Sequence, residues 1–373
     1  MARIVHVTTS HPSDDNRIFH KECATLRDAG HEVTLIAQHH ANQVVDGIIV
    51  YALPPAEGFK ERIFNLPPVA MDILADVDSD LVHYHDPELI PHMAKLRGKG
   101  RPLVYDMHEN LSADIPAKSY IPKALKPLAR FTVPRLLKSW LRGQNVVFAV
   151  KEFPDLYPWV ESYAVVQNLF KLANLPDEAS FSSPRFTLGY LGGMTEVRGC
   201  MLTLEVLDKL QDKGHDVGYE AVGPEMEGRL MEYQDITANR ELKNVSFVGS
   251  LPLKEAYAHV MGCQAGLLLF QPSPNHENCC PNKLFEYMAL GLPVIASNFS
   301  LIREVVDATG CGIVVDPTDI DEIAQAVEVL INDPAAAAEM GKRGQQAVHE
   351  KYSWQSAAKN LTEFYDRILS WKH

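Results

Sequence analysis

The chain has little of what marks a nucleic-acid-binding, disulfide-rich or membrane-spanning protein. Its 35 Lys and Arg residues are outnumbered by 48 Asp and Glu residues, and the net charge of −13 disfavours binding to nucleic-acid phosphates. The six cysteines form no CxxC pair, so the sequence predicts neither a zinc site nor a disulfide framework. No run of about 18 apolar residues is present, and MARIVHVTT lacks the apolar core of a signal peptide. These absences predict a cytoplasmic protein with reduced cysteines.

The size and composition of the chain favour two globular domains. A length of 373 residues is too great for one ordinary core and predicts two domains of about 150–200 residues each. A hydrophobic content of 46% with 22% charged residues is typical of soluble globular proteins. The polar stretch KLANLPDEASFSSPR has the composition of a linker. We therefore place one domain at residues 1–170 and a second at 171–355.

Strand and helix patterns alternate in both halves of the chain. In the first half, apolar strands at Arg3–Thr8 and Glu32–Ala37 flank a helical pattern from Arg17 to Ala29. The alternation restarts with a strand at Thr187–Leu191 and a helix at Cys200–Lys213. Such alternation predicts the α/β class, as two Rossmann-like, doubly wound domains with parallel sheets. Ligands bind such sheets beyond the carboxyl ends of the strands, and two such domains facing each other form a cleft.

The segment PNKLFEYMALGLPVIAS, from Pro281 to Ser297, predicts a helix followed by a buried strand. The backbone N–H groups at the start of the helix, with Lys283 in its first turn, favour a bound anion. Glu286 would repel a bare phosphate, but it could accept hydrogen bonds from neutral hydroxyls beside one, such as those of a ribose. A plain helix with a solvated Glu286 is the alternative.

Three motifs of the second half, LGGMTEVRG, FVGSLPLKE and KLFEYMALGLPVIAS, together resemble the GT-B glycosyltransferases of family 4. HPSDDNRIFHKECATLRDAGHEVTLIA and LVHYHDPELIP resemble the bacterial surface-polysaccharide branch of that family. The resemblance covers nearly the whole chain. It implies two Rossmann-like domains facing across a cleft, a nucleotide sugar donor and transfer with retention of anomeric configuration. It also implies that the C-terminal helix, residues 356–373, packs back on the first domain.

The resemblance assigns a donor site to the second domain. The second glutamate of the family motif maps to Glu286, on the ribose hydroxyls, and the first maps to Asn278, with Glu277 beside it. The nucleobase is expected against backbone near Gly223 and Leu251, with uridine favoured and guanosine as the alternative. The donor-binding residues expected are Gly192, Gly193, Gly223, Leu251, Asn278, Cys279, Cys280, Pro281, Asn282, Leu284 and Glu286.

A donor site requires positively charged residues near the diphosphate and the reacting sugar. In this chain Gly193 stands where the family has an arginine and Arg198 where it has a lysine, so Lys283 is expected to supply the second charge. An ordinary tight turn is the alternative explanation of the two glycines. These cations and the helix dipole replace a divalent ion, so neither a metal nor another cofactor is expected. The catalytic residues expected are Arg198, Lys283, His108 and Glu277.

In the first domain, polar side chains follow strands at the edge where ligands bind. Asp15 and Arg17 lie in the loop after the first strand, where a helix cap is the alternative role. His85 and Asp86 follow one later strand, and His108 and Glu109 follow the next, where purely structural histidines are the alternative. The acceptor-binding residues expected are Asp15, Arg17, His85, Asp86 and Glu109.

The stretch 118–142 is basic, without Asp or Glu, and carries interleaved aromatic and aliphatic residues. Such a surface suits peripheral contact with the anionic inner face of the cell membrane. An ordinary helix with one face in the core has the same pattern and is the alternative. The expected partners are therefore a nucleotide sugar donor, a glycan or lipid-linked acceptor and such a membrane, with no nucleic acid.

The sequence leaves other functions open. A UDP-sugar epimerase of the same fold would interconvert sugars without an acceptor. A non-catalytic partner subunit is suggested by Gly193 and Asn278, which replace charged family residues. A generic two-domain binding protein would show no nucleotide preference, since a fold alone does not fix function.

Overall fold

The computed structural model describes residues 1–111, 126–277 and 279–370. The chain divides into two compact units. Unit 1 comprises Met1–Asn168 together with Trp354–His373, and unit 2 comprises Leu169–Ser353. No helix in the described part of the chain has both the length and the apolar character needed to cross a bilayer.

Unit 1 contains an eight-stranded sheet in the order β3-β4-β2-β1-β5-β6-β7-β8, in which every neighbouring pair is parallel except β3 and β4. Its strands are β1 Arg3–Pro12, β2 Glu32–Gln38, β3 Gln43–Val45, β4 Ile48–Leu53, β5 Leu81–Tyr84, β6 Leu103–Met107, β7 Asn145–Phe148 and β8 Tyr163–Val165. Its first helices are α1 Ala24–Asp28, α2 Phe59–Phe64, α3 Leu66–Asp76, α4 Ile90–Ala94, α5 Lys126–Leu141 and α6 Phe153–Leu156. The antiparallel edge strand β3 was not predicted, because its few residues are half to fully exposed and carry no periodic apolar signal.

The predicted helix from Arg17 to Ala29 has an irregular start. A π-helical segment, Ile18–Cys23, leads into α1, and the Asp15 carboxylate accepts backbone hydrogen bonds from Arg17 and Ile18, both at 2.8 Å. Asp15 thus caps the segment, as one of the two sequence interpretations held. The wider turn is often found at functional sites, and here it buries Glu22 beneath the sheet.

Unit 2 contains a six-stranded, wholly parallel sheet in the order β11-β10-β9-β12-β13-β14. Its strands are β9 Phe186–Leu191, β10 Val217–Val222, β11 Val245–Gly249, β12 Ala265–Leu268, β13 Val294–Ser297 and β14 Gly312–Val315. Its helices are α7 Cys200–Asp212, α8 Leu230–Asn239, α9 Leu253–Val260, α10 Pro274–Glu277, α11 Asn282–Ala289, α12 Ser300–Thr309, α13 Ile320–Asn332 and α14 Pro334–Glu350. The two sheets confirm the predicted Rossmann-like α/β fold class.

The last helix, α15 Trp354–Ser370, belongs to unit 1 although it follows unit 2 in the chain. Its Trp354 indole N–H donates to the Thr25 hydroxyl at 2.9 Å, and Asn360 donates to the carbonyl of Val165 at 3.1 Å. Tyr365 lies buried against β5, with its hydroxyl 2.6 Å from Nδ1 of His83. Unit 1 is therefore built from both ends of the chain.

Candidate active site

A cavity of about 640 Å³ lies in unit 2 at the carboxyl ends of β9, β10 and β11 and in front of α11. This is the edge at which doubly wound sheets bind ligands. Several residues predicted for the donor site line it: Gly192, Arg198, Gly223, Leu251, Cys279, Pro281, Asn282, Lys283 and Glu286. The structure thus brings together side chains that are up to about 90 positions apart in sequence.

Two glycines let the backbone form the floor of the cavity. Gly192 and Gly223 have φ angles of 114° and 142°, which side-chain-bearing residues rarely adopt. A Cβ atom on Gly223 would lie 2.2 Å from the carbonyl oxygen of Gly192, and one on Gly192 would lie 2.8 Å from Nζ of Lys283. Larger residues at either position would close the gap between the strand ends and α11.

Two cations lie on the cavity wall. Nζ of Lys283 is 5.7 Å from the ring centroid of Tyr190 and 5.6 Å from that of Phe270. Burial, together with the neighbouring Arg198, lowers the pKa of Lys283, and Glu286 opposes that shift. Arg198 donates from Nη1 to the carbonyl oxygen of Gly193 at 2.9 Å, which fixes its guanidinium near the start of the β9 loop. Unit 2 therefore offers preorganised positive charge at the cavity.

The carboxylate of Glu286 is oriented by a neighbouring tyrosine. The Tyr257 hydroxyl donates to Oε1 of Glu286 at 3.2 Å. Burial and the adjacent carboxylate raise the pKa of Tyr257, so it keeps its proton and remains a donor. Glu286 is thereby held at the cavity wall as an acceptor for ligand hydroxyls.

His276 and Phe270 also line the cavity, and sequence reasoning missed both. His276 lies 4.4 Å from Phe270 between ring centroids, and its Nδ1 is 3.0 Å from the carbonyl oxygen of Gln271. A carbonyl can only accept, so Nδ1 carries a hydrogen. The available signal was position: His276 lies in α10, shortly before α11 and beside residues that were assigned to the donor.

Other predicted residues do not line the cavity. Glu277 is exposed, Leu284 is buried in the core, and Cys280 is half-buried. Asn278 lies outside the described residues. Gly193 contributes only its carbonyl, which accepts from the Tyr190 hydroxyl and from Arg198.

Gly193, which stands where the family has an arginine, has no space beside it for a larger side chain. A Cβ atom there would lie 2.2 Å from Sδ of Met226 and 2.9 Å from Nη1 of Arg198. The space that an arginine side chain would need at this position is therefore filled by Met226 and by the guanidinium of Arg198. The guanidinium of Arg198 thus lies beside the backbone of Gly193 on this side of the cavity.

In unit 1, Arg17 lies in the interior instead of on a ligand-facing surface. Its Nε and Nη2 donate to the two oxygens of Asp106 at 3.1 and 3.0 Å, and Nη1 donates to the carbonyl of Val166 at 2.9 Å. Burial alone would raise the pKa of Asp106, but Arg17 and adjacent histidines lower it well below its usual range. Arg17 was expected to contact an acceptor, whereas these contacts with Asp106 and Val166 hold its side chain inside unit 1.

His85 is likewise buried and belongs to a chain of polar contacts. Its Nδ1 lies 3.2 Å from Asp106 Oδ2, and its Nε2 lies 3.0 Å from Nδ1 of His6. Burial lowers the pKa of His6, His83 and His85, so these imidazoles are neutral. As with Arg17, the contacts of His85 are internal, which differs from the expected contact with an acceptor.

Asp86 and His108 stand at the boundary between this interior and the surface. Asp86 is buried and accepts from the Thr8 hydroxyl at 2.7 Å and from the backbone N–H of Thr9 at 2.6 Å, so it fixes the C-terminal part of β1. Nε2 of His108 is 3.0 Å from Asp106 Oδ2, and its side chain is 25% exposed. Glu109 next to it is exposed. The side chains of His108 and Glu109 are therefore accessible to solvent, whereas the side chain of Asp86 is buried and acts through its hydrogen bonds to Thr8 and Thr9.

Asp15, in the loop after β1, pairs with a histidine at the end of that strand. Nδ1 of His11 lies 3.3 Å from Oδ2 of Asp15. This contact raises the pKa of His11, and in return the pKa of Asp15 lies well below its usual range although burial opposes the shift. The loop is thus held by a charged pair that is partly accessible.

Both halves of the chain match known families. Residues 16–153 match the family described as Glycosyltransferase Family 4, and residues 174–347 match the one described as Glycosyl transferases group 1. A phosphatidyl-myo-inositol mannosyltransferase of Mycolicibacterium smegmatis is 24% identical over 368 residues, which cover 92% of this chain and 87% of that protein. Further matching relatives align over only 20–47% of their own lengths.

Solved structures share the whole architecture. Sucrose-phosphate synthase from Thermosynechococcus elongatus superposes with a TM-score of 0.74 at 17% identity, covering 99% of this chain and 100% of the other. The Anabaena protein Alr3699/HepE, in complex with UDP and glucose, superposes with a TM-score of 0.66 at 16% identity, covering 98% of this chain and all of the other. At such identities the likeness shows a common fold.

Proposed function

Because the chain is a family 4-like glycosyltransferase with the GT-B fold, we propose that it transfers a sugar from a UDP-linked donor, with retention. The proposed acceptor is a glycan or a lipid-linked glycan in cell-surface polysaccharide synthesis. The observation that carries the nucleotide-sugar part is the unit 2 cavity, which combines two cations, an oriented carboxylate and glycine-lined backbone. The Anabaena protein of the same fold forms a complex with UDP, and this supports the choice of base.

Each wall of the cavity suits one part of a nucleoside diphosphate sugar. Arg198, Lys283 and the N-terminal end of α11 would hold the diphosphate, since a guanidinium forms paired hydrogen bonds with phosphate oxygens. Glu286, oriented by Tyr257, would accept hydrogen bonds from ribose hydroxyls. Backbone groups near Leu251 would contact the base.

The same groups would accelerate transfer. When the bond between the anomeric carbon and the diphosphate oxygen breaks, its electron pair stays on that oxygen and negative charge grows there. Arg198 and Lys283 are already in place, so they stabilise this charge more in the transition state than in the ground state. The acceptor hydroxyl forms the new bond to the anomeric carbon, and the leaving phosphate can take its proton. No protein base and no metal are required in this scheme.

Unit 1 is proposed to serve the acceptor. Glu109 is exposed and the side chain of His108 is 25% exposed, and Asp106 contacts His108 from the buried side. The role proposed for Arg17, His85 and Asp86 is to position this edge of the sheet through the contacts described above.

Helix α5 is proposed to contact an anionic membrane. Leu128, Phe131 and Leu136 are 60%, 59% and 44% exposed, which is unusual for large apolar side chains on one helix. Arg130 and Arg135 are exposed on the same helix. Apolar side chains that enter the headgroup region next to basic ones bind anionic lipid surfaces. Lys118 and Lys123 of this basic stretch lie outside the described residues.

The membrane proposal is tested by vesicle flotation with and without phosphatidylglycerol. Changing Arg130, Arg135 and Lys138 to glutamine should abolish flotation with anionic vesicles, because each basic residue near the surface contributes about 1 kcal/mol. The control replaces an equal number of exposed basic residues elsewhere in unit 1, namely Lys60, Lys99 and Lys359, by glutamine. Equal loss in both variants, or none in either, would contradict a specific role of α5.

The transfer proposal is tested by a donor panel. Thermal stabilisation is measured with UDP, GDP and their common sugars, since a ligand at 100 times its Kd stabilises by about 2.7 kcal/mol. UDP should raise the melting temperature of the parent chain and should do so much less for Glu286→Ala and Arg198→Ala. Stabilisation by GDP but not by UDP would indicate that the donor is linked to guanosine diphosphate. Failure of every nucleotide to stabilise the folded protein would contradict the site.

Product analysis separates the remaining alternatives. A transferase consumes the donor only with an acceptor, and the anomeric configuration of the product, read by NMR, decides retention. A UDP-sugar epimerase would convert the donor without any acceptor. A partner subunit would bind UDP and consume no donor.

A further inference from the structure

A buried cluster of four side chains in unit 1, defined by His6, Glu22, His83 and His85, has the composition of a transition-metal site. One nitrogen or oxygen atom from each lies within 4.8 Å of the others. Strand register produces the cluster, because His6 on β1 pairs with His83 on β5, and His85 two residues later points to the same face. Glu22 approaches from the π-helical segment. All four residues are buried.

Several polar atoms of this cluster have no hydrogen-bond partner among residues 1–111, 126–277 and 279–370. They are Nε2 of His6, Nε2 of His83 and both carboxylate oxygens of Glu22. Oε1 of Glu22 lies 2.9 Å from Nε of Arg17, but that N–H donates to Asp106. Buried polar atoms are nearly always paired, because an unpaired one has lost its hydration without compensation. Four such atoms in one cluster indicate a common ligand.

The cluster also has the outer contacts that metal-binding histidines need. A ligating imidazole is oriented by a partner on its other nitrogen. Nδ1 of His83 lies 2.6 Å from the Tyr365 hydroxyl, and Nδ1 of His85 lies 3.2 Å from Asp106. Both partners leave Nε2 as the atom that faces away from them. The outer shell of the site is therefore in place.

The inner distances are close to those of a coordination sphere. Nε2 of His85 and Nδ1 of His6 are 3.0 Å apart. Nitrogens held about 2.0–2.1 Å from a tetrahedral ion are about 3.3 Å from one another. The widest separation in the cluster, up to 4.8 Å, requires small rotations of the side chains to close around an ion. His6 can offer Nδ1 or, after ring rotation, the unpartnered Nε2.

We propose that His6, Glu22, His83 and His85 bind one divalent transition-metal ion, with zinc the ion that this donor set favours. Three imidazoles and a carboxylate suit tetrahedral zinc, whereas Mg²⁺ and Ca²⁺ prefer oxygen ligands. Four protein ligands in a buried site describe a structural ion that stabilises unit 1. Its site is separate from the unit 2 cavity, so the expectation of metal-free sugar transfer is unaffected.

Metal content tests the proposal on the full-length protein. After dialysis against EDTA, elemental analysis should find about one zinc per chain, as a closed site with four ligands retains its ion. Unfolding in guanidinium with EDTA should release the zinc, and protein refolded without metal should melt at a lower temperature than protein refolded with it. Absence of zinc from the dialysed protein, with refolding and melting unaffected by added zinc, would overturn the proposal.

Variants locate the ion. His6→Asn should lose the retained zinc, because it removes one ligand from a residue that has no place in the donor cavity. The matched control changes His39 and His40, an accessible pair with ring centroids 5.9 Å apart, to asparagine. The control should keep its zinc, and equal retention in His6→Asn, or loss only in the control, would show adventitious binding and overturn the site.

A spectroscopic readout covers the case in which His6→Asn does not fold. The parent protein, grown with cobalt, should show the strong visible absorption of four-coordinate Co²⁺, and X-ray absorption should show several imidazole ligands. Weak absorption typical of six-coordinate, hydrated cobalt, or coordination by oxygen alone, would overturn the proposal without any variant.

Discussion

Replacing Lys283 by methionine isolates the contribution of the half-buried cation at the start of α11. Its ammonium group lies near the rings of Tyr190 and Phe270, where solvent is partly excluded. Methionine is flexible and of similar length, so it can keep the packing while it removes the charge. Arg198 stays in place and keeps the other side of the diphosphate site.

The expected loss follows from the kind of bond that is removed. A hydrogen bond to a charged partner contributes about 1.5–3 kcal/mol. At about 1.4 kcal/mol per factor of ten, the Kd for UDP should rise about 10- to 100-fold. The turnover rate should fall by at least as much, since the leaving diphosphate carries more charge in the transition state. The unliganded protein should not lose stability, because burial and Arg198 already disfavour the charged form of Lys283.

The assay is isothermal titration with UDP, joined to thermal unfolding of the unliganded protein. The matched control is Lys254→Met, on the exposed face of α9, where the lysine pairs with exposed Asp177. Its affinity for UDP should equal that of the parent. If Lys283→Met bound UDP as tightly as the parent, or if both variants lost the same affinity, the diphosphate assignment would be refuted.

Three further outcomes are expected. Tyr257→Phe should weaken UDP binding about 2- to 10-fold in the same titration, since it removes a hydrogen bond to the Glu286 carboxylate, of about 1.5–3 kcal/mol, that acts on UDP only indirectly by orienting Glu286. UDP affinity should decrease as the pH rises, and the decrease should begin at a pH below 10.5, the ordinary pKa of lysine, because the pKa of Lys283 is lowered. Lys283→Met should remove this pH dependence. Gly266→Ala should destabilise the fold by about 1–3 kcal/mol in denaturant unfolding, since its Cβ would lie 2.4 Å from the Tyr287 ring; unchanged stability would contradict that close packing.

The sequence was most informative where one short segment carries both fold and site. Pro281, Lys283 and Glu286 are close in the chain, and a single helix start places them on one cavity wall, so spacing alone predicted their neighbourhood. The parallel sheets were predictable for a similar reason. Their strands are buried on both faces and therefore appear as uninterrupted apolar runs.

The sequence was least informative where polar residues are buried. Arg17 and His85 were expected near an acceptor because they follow strands at the edge of the sheet where ligands bind. Their burial depends on partners that are distant in sequence, such as Asp106 for Arg17, and on a π-helical turn that has no periodic signal. The filling of the space beside Gly193 by Met226 likewise depends on a contact that only the folded chain shows.

The position of α15 has a consequence for how the protein is made. The residues between Asn168 and Trp354 number 185, from 169 to 353, and at about 5–20 residues per second their synthesis takes on the order of 10–40 s. Throughout that interval the nascent first half lacks the tyrosine that covers His83 and the indole that ties down Thr25. A chain that lacks α15 is thus left with an uncovered face of the unit 1 β-sheet, which chaperones and proteases can recognise. Only a chain that has been translated through α15 covers this face.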